Sequence, residues 1–284
     1  MKKTLILLIA LAAACTLAVH NTCQAAWPFG KRIKGSERIV TKNLDAPDFD
    51  ALSAARGVRV VLSSEARGMR IDANDNLIDW VVTEVNDGTL EVTIDKAITS
   101  VSDVNVTVTL PAPKDKIRSL EATSSARIES DATLKADRAR IEASSAAEIR
   151  TSLRADGCAV AASSAAEIEI ELTTQSCSFA ASSAAKIRAT VETTDCSVTA
   201  SSAAKIIVKG ETGNLSAKAS SAADIVASEL AADNASAEAS SGAGIDVNCR
   251  KALNARASSG ADVRYRGDCS VESEKSSGGS VRRS

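Results

Sequence analysis

The chain has 284 residues, of which 2% are aromatic and 25% charged, and a formal net charge of −2. So few rings exclude a thick core built on large side chains, and a mildly acidic chain without a basic block carries no electrostatic footprint for nucleic acid. The single histidine is His20, so Ser-His-Asp and Cys-His chemistry has no base anywhere beyond the N-terminal segment.

That segment reads as a secretory signal over residues 1–25. Lys2 and Lys3 are followed by an apolar run from Thr4 to Val19 and a polar stretch ending Cys23-Gln24-Ala25, with cleavage expected after Ala25 or Ala26. The run is too short for a spanning anchor, and no transmembrane helix is expected in the mature chain. A rival reading makes it a lipoprotein signal with Cys15 as the lipidated residue. Removal of Lys2 and Lys3 takes the formal charge from −2 to −4.

Residues 26–35, with Pro28, Gly30 and Lys31-Arg32, read as a linker, and structure is expected to begin near Glu37. Residues 36–116 read as an N-terminal β cap. Short strands are expected around Ile39, over Val58–Leu62, over Met69–Asp72, and on both sides of the tight-turn signal Asn86-Asp87-Gly88-Thr89. Val104 to Leu110 alternates with a period of two before Pro111 and Pro113.

From residue 117 to the C-terminus one phrase recurs, clearest as Ser163-Ser164-Ala165-Ala166-Glu167-Ile168 and Ser182-Ser183-Ala184-Ala185-Lys186-Ile187. Its copies begin at 124, 144, 163, 182, 201, 220, 240 and 258, with a worn ninth, read as a worn C-terminal coil, at Ser276-Ser277-Gly278-Gly279, of which Gly278-Gly279 is read as a tail. A regular period of about 19 residues marks a solenoid in which each repeat is one stacked coil. The expected fold is all-β, a right-handed parallel β-helix (β-solenoid) with about 19 residues per coil, capped by the N-terminal β region.

Alternation within one coil puts Ser164, Ala166, Ile168, Ile170 and Leu172 inside, breaks over Thr173–Ser176, and resumes with Cys177, Phe179 and Ala181. The second Ser of each pair is thus expected to point inward, and Gly at the third position of later copies suggests a tighter or left-handed bend. Ile128, Ile149, Ile168, Ile187, Ile206, Ile225, Ile245 and Val263 should form one apolar seam. Cys158, Cys177 and Cys196 recur one per coil and should form a column, either as a ladder of buried thiols or with one pair oxidised; the state of Cys249 and Cys269 is equally open.

Phe49-Asp50-Ala51-Leu52, Gly57-Val58-Arg59-Val60, Ile71-Asp72-Ala73-Asn74-Asp75-Asn76-Leu77-Ile78 and Asp87-Gly88-Thr89-Leu90-Glu91-Val92 occur in that order before Val104–Pro111 and the repeats. Over residues 40–280 the chain resembles the bacterial family described as putative autotransporter adhesin heads, or head GIN domains. The resemblance implies an exported β-solenoid from a Gram-negative bacterium, periplasmic or at the cell surface, of adhesin-like character.

The repeated titratable groups are Glu148, Arg150, Glu167, Glu169, Glu171, Lys186, Arg188 and Lys205. Carboxylates clustered on one strand can hold a cation or do acid–base work, but with Lys186 and Arg188 beside them they read as an outward ion-pair ladder. No catalytic residue, cofactor or metal site is expected: the cysteine column lacks His and a Cys-x-x-Cys pair, and there is no phosphate-binding Gly-rich loop. The chain is thus expected to be a non-enzymatic envelope or surface protein that binds through its solenoid face. Protein, glycan or matrix would be the partner, and oligomerisation is compatible. The alternative is a polysaccharide lyase or hydrolase with a shallow site on the β-helix flank; the short, uniform turns offer little material for a cleft.

Overall fold

The computed structural model describes residues 31–113 and 115–284. The signal and lipoprotein readings, including Cys15 and His20, and residues 26–30 of the linker lie outside the described residues. The N-terminal region holds strands β1 (Lys31–Lys34), β2 (Ile39–Leu44), β3 (Ala51–Ala54), β4 (Arg59–Ser63) and β5 (Met69–Asn74). After a short 3-10 turn at Ile78–Trp80 come β6 (Val81–Asn86), β7 (Thr89–Ile94), β8 (Ile98–Ser102), β9 (Val106–Pro111) and β10 (Ser119–Ala122). Seven long bent strands follow: β11 (Arg127–Ala143), β12 (Glu148–Ala162), β13 (Glu167–Ala181), β14 (Lys186–Ala200), β15 (Lys205–Ala219), β16 (Asp224–Ala239) and β17 (Gly244–Ala257). The chain closes with β18 (Asp262–Arg266), β19 (Ser270–Lys275) and β20 (Ser280–Arg283).

Each long strand has two legs, so the β-solenoid has two faces. The first legs pair in parallel with those of the next coil and extend through β4, β9, β5 and β2 at one end and through β18 and β20 at the other. The second legs continue through β10, β3, β7 and β6, and at the far end through β19. Pairing is parallel throughout except at β2–β5, β5–β9 and β6–β7, which are antiparallel. Register is exact across the regular coils, with Ile168 opposite Ile187 and Ile187 opposite Ile206. A slip of one residue would turn every inward side chain outward, which is why the alternation enforces register.

The isoleucine seam is fully enclosed: Ile128, Ile149, Ile168, Ile187, Ile206, Ile225, Ile245 and Val263 are all buried. Each contributes roughly 1.5–3 kcal/mol through burial, shared between neighbouring coils. Leucine, valine, alanine and cysteine fill most of the rest of the core, and Phe179 is the one buried phenylalanine among the described residues.

Three expectations are corrected. Lys31–Lys34, read as linker, is a strand paired in parallel with β8, and Lys31 lies over the Trp80 ring at 3.8 Å to its centroid. Structure therefore starts ahead of Glu37, because a cation held on an aromatic face gives this polar segment an anchor.

Second, the inner row begins at the second Ala, not the second Ser. Ser164 and Ala165 both adopt positive φ (51° and 61°), and the Ala166 amide donates to the Ser163 carbonyl at 3.1 Å. Two successive left-handed residues closed by that bond form a type I′-like turn, which swings Ser164 out into solvent. The same geometry recurs at Ser145-Ala146, Ser183-Ala184, Ser202-Ala203 and Ser221-Ala222, and with Gly in the second place at Ser241-Gly242, Ser259-Gly260 and Ser277-Gly278. The worn C-terminal coil thus closes with a complete turn followed by β20, and Gly278-Gly279 is part of that turn, not a tail.

Third, the first copy is offset by one residue. Its left-handed pair is Ser124-Ser125 and its closing bond runs from Ala126 to Thr123. Arg56-Gly57 adopts the same positive-φ pair, and the Gly57 amide donates to Ser124 at 2.9 Å, so the turn column reaches back into the region read as a cap.

Candidate binding face

The eight charged residues expected to form a ladder all project from the first legs. Glu148, Glu167, Lys186 and Lys205 stack in one column, and Arg150, Glu169 and Arg188 in the next; Glu171 stacks on Ser152. Arg150 bridges Glu148 at 2.6 Å and Glu169 at 3.3 Å, while Arg127 reaches Glu148 at 3.3 Å. Arg188 pairs with Glu167, and Glu171 accepts a hydrogen bond from Ser152 Oγ at 3.1 Å. Lys186 and Lys205 make no ion pair among the described residues. The three glutamates of β13 are thus drawn to separate partners on neighbouring coils rather than to a common point. Among the described residues no group of three or more His, Cys, Asp or Glu side chains is placed to hold a metal ion.

The second legs present a different surface. Ala159, Ser178, Ser197, Ser216 and Ser236 stack in one outward column, and Ala161, Ala180 and Thr199 in the adjacent one. No charge interrupts these positions across β12–β14, whereas the same columns carry Arg140 and Glu142 on one side and Lys218, Glu238 and Arg256 on the other. Two shallow depressions flank the neutral strip. Beside the bend, Ser176, Ser178, Asp195, Ser197, Asn214 and Ser216 border a groove of about 430 Å³. Beside the turns, Ser144, Ser163, Ser182 and Ser201 border one of about 330 Å³, and Ser220, Ser240 and Ser258 continue it with a further 370 Å³.

The bend is held by threonines. Thr193 Oγ1 donates to Gln175 O at 3.1 Å or to Asp195 O at 3.2 Å, and Thr212 Oγ1 to Thr194 O at 3.2 Å or Asn214 O at 3.1 Å. Outside it, Asn234 donates to Asn214 Oδ1 at 3.2 Å and Asn214 to Asp195 Oδ1 at 2.8 Å, a side-chain ladder along the groove rim. Cys158, Cys177 and Cys196 lie in register beneath this rim, facing the core with 3–6% of their surface exposed, and all three are free thiols. Burial pushes the Cys158 thiol up to about 12. Cys196 is also raised, by the neighbouring Cys177 thiol and by burial.

The charged columns expected from the sequence are therefore in place and paired except at Lys186 and Lys205, while the neutral serine strip was not singled out. Its signal was available: Ser178, Ser197 and Ser216 follow at intervals of 19, as regular as the isoleucines. It was hidden because serine in a serine-rich repeat looks like filler until the register separates outward columns from turn positions.

A family model described as "Putative auto-transporter adhesin, head GIN domain" matches residues 48–190 and 171–269. No curated protein matches. Among solved structures, the chain is similar to a putative adhesin from Parabacteroides merdae, with a TM-score of 0.68, 18% identity, and coverage of 89% of this chain and 99% of that one. A putative adhesin from Parabacteroides distasonis gives 0.64 at 17% identity, covering 89% and 100%. A protein from the same species titled a putative lipid binding protein gives 0.60 at 18%, again covering 89% and 100%. At such identities the likeness is one of fold.

Proposed function

Because the chain belongs to the family of putative auto-transporter adhesin head GIN domains, we propose that it is a non-enzymatic, exported envelope or surface protein that binds its partner through the second-leg face. The observation that carries this reading is the neutral strip of Ser178, Ser197, Ser216, Ala180 and Thr199 between two shallow grooves. A flat sheet of short side chains lets a long, weakly charged ligand lie close to the backbone, and hydroxyls repeated every ~4.8 Å offer a donor and an acceptor at each coil. The first-leg face is a poorer candidate because its charges are largely spent on each other. Binding without turnover fits the shallowness of these grooves and the dispersed carboxylates of β13.

The test is surface binding with immobilised glycans and extracellular matrix proteins. The double variant Ser178→Arg/Ser197→Arg should lose binding with its melting temperature unchanged, while Arg150→Gln should retain it. The opposite pattern would move the site to the first-leg face. Release of new reducing or unsaturated ends from polysaccharides by the purified protein would replace the binding reading with an enzymatic one.

A further inference from the structure

One end of the rod leaves core-side positions uncovered. Among the described residues the exposed large hydrophobic side chains are Ile39, Leu44 and Val85, at 42%, 37% and 39%, and all three lie on β2 and β6. These are the outermost strands of the two sheets: β2 pairs with β5 and β6 with β7, and neither has a second partner strand among the described residues. Leu44 stands opposite Met69 and Val85 opposite Leu90, both buried. Leu44 and Val85 thus point to the core side of their sheets and are exposed because the sheets stop there. An open edge offers unpaired backbone groups to another strand, and charge is the usual guard against it. The strands at the opposite end are guarded so, with Glu272, Glu274 and Lys275 on β19 and Arg282 and Arg283 on β20. β2 and β6 carry one charge each, Lys42 and Glu84.

Two open edges, one per sheet, call for a partner that brings two edges at the same spacing, and the same end of a second copy does so. β2 runs antiparallel to β5 and β5 to β9, so β2 runs with the first legs. β6 runs antiparallel to β7 and therefore against the second legs. The two legs of a coil run in opposite senses, which leaves β2 and β6 pointing the same way. A twofold axis parallel to these strands then sets β2 of each copy parallel to β6 of the other. Both junctions are the same junction, so they close together whatever the offset between the sheets. Joining each strand to its own copy would bring Lys42 towards Lys42 and Glu84 towards Glu84, and like charges facing across a ladder are destabilising. In the mixed junction Lys42, on the core side opposite Ile71, lies among Val81, Thr83 and Val85, while Glu84 points outward with Glu91. We propose that this end is a self-association surface on which two copies meet end to end as a closed twofold dimer, with Leu44 of each against the core-side row of the other's β6.

The experiment is sedimentation velocity and small-angle X-ray scattering of the purified protein over a range of concentrations. A monomer–dimer equilibrium is expected, the dimer having close to twice the maximum dimension of the monomer. Leu44→Arg and Val85→Arg should each weaken dimerisation by about tenfold or more, with the melting temperature of the monomer unchanged because both side chains are already exposed. The double variant Leu44→Arg/Val85→Glu should dimerise more tightly than Leu44→Arg alone, since opposite charges then meet at both junctions. Should a variant fail to fold, the scattering of the wild-type protein still decides the matter. A wild-type chain that stays monomeric at submillimolar concentration overturns the proposal. So do a dimer no longer than the monomer, an oligomer that keeps growing with concentration as head-to-tail stacking would, and undiminished dimerisation in Leu44→Arg. A double variant no tighter than Leu44→Arg overturns the mixed junction and the proposal with it.

Discussion

The amide of Ala165 donates to the carbonyl of Ser183 on the next coil at 3.0 Å, against the direction of the bonds on either side of it. Those flanking bonds run from Ser182 to Ala162 at 3.0 Å and from Lys186 to Ala166 at 2.9 Å. Two left-handed residues reverse the peptide between them, so the turns stack through a ladder of their own polarity. Left-handed backbone costs an alanine roughly 1–2 kcal/mol, and the stacked hydrogen bond helps to offset it.

Relief of that cost is measurable. Ala184→Gly should raise stability by about 0.5–1 kcal/mol, the backbone gain outweighing the added entropy of the unfolded chain. A Cβ built at Gly260 meets nothing within 4 Å, so Gly260→Ala tests conformation without a clash and should lower stability by about 1 kcal/mol. Urea unfolding of both variants checks the pair; a gain from the second would contradict the turn assignment.

Gly210 is constrained in another way. Its φ is 109°, and an added Cβ would lie 2.0 Å from the Val191 carbonyl oxygen, backbone that cannot swing aside. Gly210→Ala should therefore cost more than about 3 kcal/mol, from strain and from the broken β14–β15 ladder. Its melting temperature should fall well below that of Gly242→Ala, where the added methyl meets open space.

Alkali should weaken the fold through Cys158. Its pKa is raised from 9.0 to about 12 in the folded chain, so the folded state holds the thiol proton after the unfolded state has released it. Stability is full below about pH 9 and falls as pH rises toward 12, by about 4 kcal/mol for a shift of this size. Urea midpoints measured at pH 8 and pH 10.5 should converge in part in Cys158→Ala; an unchanged pH slope there would remove this thiol as the cause.

Glu167 and Arg188 offer a test of the charged face. Their side chains are 40% and 39% exposed. A double-mutant cycle of Glu167→Gln and Arg188→Gln should give a coupling below about 1 kcal/mol, shrinking further in 0.5 M salt. Coupling several times larger would mean that the ladder sets stability rather than register.

Side chains that alternate in and out were readable before any fold was known, because burial follows parity: Ile168, Ile170 and Leu172, then Cys177, Phe179 and Ala181, all lie inside. Parity says nothing once the backbone turns left-handed, and that is where the reading of Ser164 went astray. Ala in place of the usual Gly at Ala165 concealed the turn type. The coil at Arg56-Gly57 escaped notice for a different reason. More than sixty residues, including the antiparallel strands β5, β6 and β9, separate it in sequence from the Ser124 turn that it stacks upon. The ion pairs were legible as columns of alternating sign, whereas the neutral strip depended on knowing which serines share an outward face.

The antiparallel strands β2, β5 and β6 finish one end of the two sheets, and beyond β9 and β7 every step is parallel. Tandem duplication of one coding unit would therefore add a coil without disturbing either the terminal strands or the neighbouring turns, extending the rod by about 4.8 Å. The length of the rod becomes a heritable quantity that varies in even increments, independent of the chemistry displayed along the shaft.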